Sequence, residues 1–93
     1  MRYWKVRWHH EFAEEPIAIY SEIGPDDYET RRVEEFGDGR LGWADQDREH
    51  GGTSLAYTEF GDIEEVREQP EFSALVITER EFDAVWRRAV ESS

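Results

Sequence analysis

"TEREFDAVWRRAV", residues 78–90, decides the fold. Its apolar residues are Phe82, Val85, Trp86, Ala89 and Val90, a three-and-four spacing that sets all five on one stripe of an α-helix. Thr78 and Glu81 stand at capping-box spacing before the stripe begins. Arg87 and Arg88 lie near the C-terminal end, where the helix dipole favours cations. Such a stripe must be covered, and the segments before it read as strands.

Tyr3 to His10 alternates, with Trp4, Val6 and Trp8 on one face and Tyr3, Lys5, Arg7 and His9 on the other. Pro16 to Ile23 sets Ile17, Ile19 and Ile23 against Ala18, Tyr20 and Glu22. Gly24-Pro25-Asp26-Asp27 has the composition of a turn. Tyr28 to Phe36 gives a third strand in which Val33 and Phe36 differ in parity, so either a bulge intervenes or one of them is at the surface. Asp38-Gly39 suits a tight hairpin into a fourth strand, Arg40 to Ala44. Asp45 to Gly61 lacks a period and reads as a loop, with Leu55 and Tyr57 as its anchors. Asp62 caps a short helix over 63–69, Pro70 stops it, and Ala74 to Ile77 makes a brief edge strand.

The expected fold is a single α+β domain over residues 1–93. It is an antiparallel four-stranded meander, with scope for a short fifth strand, a short helix and a long C-terminal helix packed on one face. The Trp4/Val6/Trp8 and Ile17/Ile19/Ile23 side is expected to receive that helix, leaving the side of His9 free.

Ninety-three residues give a small core, which four Trp, five Phe and four Tyr reinforce. The absence of cysteine excludes disulfides, thiolate metal sites and a cysteine nucleophile. No apolar run is long enough to span a bilayer or resembles a secretory leader, so the expected location is cytoplasmic. The net charge of −12, from 23 acidic and 11 basic residues, argues against nucleic acid and against anionic membranes. It favours encounter with a basic protein partner.

The order of short motifs adds a resemblance. Trp8-x-His10-x-Phe12, Glu14-x-Pro16 and Tyr20-Ser21-Glu22-Ile23 are followed by Tyr28-Glu29 with Arg31, Val33-Glu34, and Phe36 with Asp38-Gly39. Pro70-Glu71-Phe72 and Ile77-Thr78-x-x-Glu81-Phe82-x-x-x-Trp86 close the series. Together they resemble a catalogued family of small bacterial domains of unknown function, over nearly the whole chain except 45–61. The resemblance implies a bacterial origin and a free-standing domain, and it brings no activity and no site residues.

Candidate chemistry is sparse. His9 and His10 are adjacent on a strand, point to opposite faces and cannot chelate one ion together. A zinc site would need His50 and a carboxylate from the loop, so no metal site and no cofactor is expected. Arg7, His9, Tyr20, Glu22, Glu29 and Arg31 are expected on one polar sheet face, as an anion-recognising or acid–base patch or as a ladder of cross-strand charges. Trp43, expected to be partly exposed, joins Tyr57, Glu14 and Glu15 as protein-contact candidates. Ser21 and Ser54 have no nucleophile-elbow context. The leading expectation is a non-catalytic interaction module of the inhibitor or immunity type that binds a basic bacterial partner. The alternative is a small-molecule-binding or enzymatic domain using the polar patch.

Overall fold

The computed structural model describes residues 1–92. Strands β1 (Arg2–Trp8), β2 (Pro16–Ile23), β3 (Glu29–Phe36) and β4 (Leu41–Asp45) form the expected meander, each antiparallel to the next. The sheet is wider than four strands. A two-residue strand β5 (Glu49–His50) folds back on β4, and β6 (Phe72–Val76) pairs antiparallel with β1. The strand order is β5-β4-β3-β2-β1-β6. Helix α1 (Ile63–Arg67) precedes β6, and α2 (Glu79–Glu91) follows it. The expected caps are present: Asp62 accepts from the Glu64 amide, and Thr78 and Glu81 form a reciprocal capping box. Among the described residues no helix is long and apolar enough to cross a membrane.

The stripe on α2 is buried as expected, but against the opposite face of the sheet. Phe82, Val85 and Ala89 form one cluster with Tyr3, Ala18, Tyr20, Val33 and Trp43. The Trp4/Val6/Trp8 side instead lies under α1 and the segment before it, with the Trp4 and Phe60 rings 5.5 Å apart. Alternation identifies two faces, but it cannot say which cover each receives when both are covered. The helix side tolerates Glu22 and Arg31 because they pair with each other, with Arg31 Nε donating to Glu22 Oε1 at 2.9 Å.

The same two-sided burial resolves the parity of Val33 and Phe36. Both are buried, Val33 beneath α2 and Phe36 on the other side. The β2–β3 register does shift between Pro16 and Ala18, opposite Phe36 and Glu35, so an irregularity lies between the two positions, and neither residue is at the surface.

Residues 45–61 are more ordered than their composition suggests. Asp45 accepts from the Asp47 and Arg48 amides and starts the β4–β5 turn. Three hydrogen bonds then fix the chain across the sheet. Thr53 Oγ1 donates to Glu34 (2.8 Å), the Ala56 amide to Glu29 (2.9 Å) and the Phe60 amide to the Asp27 carbonyl (2.7 Å). Thr53 approaches β4 at Gly42, where any Cβ would collide with its hydroxyl. The anchors are therefore Thr53, Ala56 and Phe60, in place of Leu55 and Tyr57.

Candidate functional site

The face opposite α2 carries an elongated groove. Its floor is Trp4, Val6 and Trp8 of β1, Ile19 and Ser21 of β2, and Arg32, Glu34 and Phe36 of β3. Residues 56–60 and α1, through Glu65 and Val66, wall the end near Trp4, and Phe60 to Asp62 close it. The other end opens between Trp8 and the β1–β2 connection, at Glu14 and Glu15. Three hollows of about 450, 490 and 330 Å³ follow one another along this line. Trp8, Glu14 and Glu15 are common to the first two, and Ile19 and Arg32 to the second and third.

Beneath the groove lies a polar cluster built on β2 and β3. Ser21 Oγ donates to Glu29 Oε2 at 2.6 Å, and Arg32 binds both Glu29 and Glu34. The Glu29 side chain has 0% exposure. Burial pushes its carboxyl up, and although Arg32, Ser21 and the Ala56 amide oppose that effect, burial prevails. Each carboxylate oxygen of Glu29 and Glu34 that bonds Ala56 or Thr53 also ties the overlying segment to the sheet.

Cations and carboxylates along the groove are unequal in their pairing. Arg32 is taken by two glutamates, and Arg40 sits 3.6 Å from Asp38 and over the Phe36 ring. Glu14, Glu15, Glu59, Asp62 and Glu65 face the groove without an ion pair among the described residues.

The polar patch expected from the sequence does not assemble as one open face. Tyr20, Glu22 and Arg31 lie on the α2 side, where Arg31 also binds Asp83 at 3.0 Å and covers the Phe82 and Trp86 rings. Burial pushes Glu22 up, but hydrogen bonds from Arg31, Thr30 and Tyr3 outweigh it and hold the carboxyl below its ordinary range. The Glu22 hydrogen bond does most to raise Arg31. Glu29 lies on the other face, because the β2–β3 register shifts between Glu22 and Ile23. Arg7 and His9 are exposed at the far end of the sheet, where His9 Nε2 meets Ser73 Oγ at 2.6 Å.

The histidines are equally dispersed. His10 Nδ1 accepts from the Phe12 amide, which assigns its proton to Nε2, the donor to the Pro16 carbonyl. It thereby shapes the turn after β1. His50 stacks on Trp43 from β5, four strands from β1 and about 19 Å away at ordinary strand spacing. Among the described residues no three His, Asp or Glu side chains are grouped to hold a metal ion.

Trp43, expected to be partly exposed, is only 6% exposed. The β5 hairpin brings His50 and Arg48 over it, and Trp86 meets it edge-on at 5.4 Å. Its indole N–H has no partner among the described residues. Tyr57 is 84% exposed, and Glu14 and Glu15 are exposed at the groove mouth. Phe12, a motif residue but not one of the expected contact candidates, is 65% exposed between Glu11 and Glu14. A connection of seven residues after a strand with an aromatic near its middle was the available signal.

The profile of a domain of unknown function (DUF6881) matches residues 2–91. The chain belongs to that family. The match runs from the start of β1 to the end of α2, so the whole sheet and both helices are the DUF6881 domain. No curated protein and no solved structure matches the chain.

Proposed function

We propose that this DUF6881 domain is a non-catalytic interaction module, of the inhibitor or immunity type, that binds a basic protein partner along the groove opposite α2. The observation that carries this reading is the uneven pairing described above. The groove's cations are neutralised by their neighbours, whereas Glu14 and Glu15 at one end and Glu59, Asp62 and Glu65 at the other are left without a cation among the described residues. Unpaired carboxylates steer a basic partner toward the surface that carries them, and the exposed Phe12 ring beside Glu14 offers an apolar anchor at the mouth.

The test uses protamine as a defined basic partner, added to ¹⁵N-labelled protein at low ionic strength. Amide shifts centred on 14–19 and 59–66, and reversed by salt, are the expected result. Shifts spread evenly over every acidic stretch, including the outer side of α2, would remove the groove from consideration.

A further inference from the structure

Resting on that reading, we propose that the groove takes an extended segment of the partner chain, with a basic residue at each end of the bound stretch and an apolar residue between them. Three features favour an extended segment over a folded surface. The first is shape: the hollows follow one another over β1, β2 and β3, sharing lining residues, and are bounded by chain on both sides over part of their length. A convex domain surface would rest on the rims and leave the floor unfilled.

The second is length. Trp4 and Trp8 mark the two ends of the floor, and four strand residues span about 13 Å. That is the reach of about four residues of extended peptide, whose alternate side chains point to the same side. The third is the order of chemistry along the line. Glu14 and Glu15 come first, Val6 and Ile19 lie on the floor, and Glu59, Asp62 and Glu65 follow at the closed end. A peptide with cations at positions i and i+4 and a leucine at i+2 matches that order, with its small spacers pointing outward.

The test compares three probes at low salt by fluorescence anisotropy competition. These are acetyl-RSLSR-amide, its scramble acetyl-LSRRS-amide of the same composition, and spermidine. The alternating peptide is expected to bind about tenfold more tightly than the scramble. Glu15→Lys and Glu65→Lys, at exposed rim positions on opposite ends, should each weaken it about fivefold with unchanged melting temperature. Equal binding of peptide and scramble, or spermidine binding as tightly as the peptide, would overturn the extended-segment inference. If protamine still shifts the groove amides in that case, the interaction reading survives. If protamine leaves them unmoved, that reading fails as well.

Discussion

Glu22 and Glu29 lie on opposite faces of one sheet, each with an arginine partner, and their carboxyls are displaced in opposite directions. Glu22 is bound by Arg31 through two nitrogens and by Thr30, and it is held low despite burial. Glu29 has a more distant arginine contact of 3.3 Å and no solvent, and it is held high. Position, more than residue type, sets the outcome for each.

The two glutamates therefore give opposite pH slopes of stability. Glu22, low in the folded state, contributes stability above its unfolded value that is lost as pH falls through its folded value. Glu29, high in the folded state, keeps a proton that the unfolded chain has released, so stability declines as pH rises from the ordinary carboxylate range to its folded value. Urea titrations between about pH 3 and pH 7 should show Glu29→Gln gaining on the wild type as pH rises, and Glu22→Gln falling behind it. Parallel stability–pH curves for the two variants would contradict the assignment.

Removing the Glu29 side chain altogether has a different effect. Glu29→Ala strands Ser21 Oγ and the Ala56 amide and leaves Arg32 with Glu34 alone. Breaking a buried ion pair from one side costs about 3–5 kcal/mol. The loss should appear in denaturant unfolding, and the Ala56 amide should exchange with solvent faster than the α2 core amides.

Gly42 tests the seating of the segment over the sheet. A methyl group there meets the Thr53 hydroxyl and crowds the Gly51 carbonyl at 3.3 Å. Thr53 is buried and its hydroxyl is held by Glu34 at 2.8 Å, so it cannot shift freely to make room. Gly42→Ala should destabilise the domain by about 1–3 kcal/mol. Its amide spectrum should change most at 51–56, with the helix α2 resonances nearly unmoved.

How much of this was legible in the sequence depends on periodicity and on cover. The α2 stripe, its capping box and the Asp62 cap are local patterns, and each recurs in the structure as read. The meander followed from alternation and turn residues, but β5 is two residues long and has no period to detect. Burial of Trp43 depends on that hairpin, so it too was hidden. The wrong face for α2 has a further cause. Tyr3, Tyr20 and Glu22 look polar one by one, yet Tyr3 finds Glu79 on α2, and Glu22 is neutralised by its cross-strand partner Arg31, which itself lies over the Phe82 and Trp86 rings of α2. The groove was hidden for the same reason, because its walls come from a segment anchored through Thr53, Ala56 and Phe60, which share no pattern.

Phe12 separates binding from folding. Its ring is 65% exposed and, among the described residues, stacks on His10 alone, at 5.4 Å. The Phe12 amide, not its ring, makes the turn's hydrogen bond to His10 Nδ1, so truncation leaves the backbone arrangement intact. Phe12→Ala should change stability by no more than about 0.5 kcal/mol, as for an ordinary surface site. If the ring anchors a partner beside Glu14 and Glu15, the same variant should weaken protamine binding at the groove mouth severalfold, and much less at 59–66. Full retention of binding by Phe12→Ala would leave the carboxylates alone to hold the partner and would remove the aromatic anchor from the proposed interface.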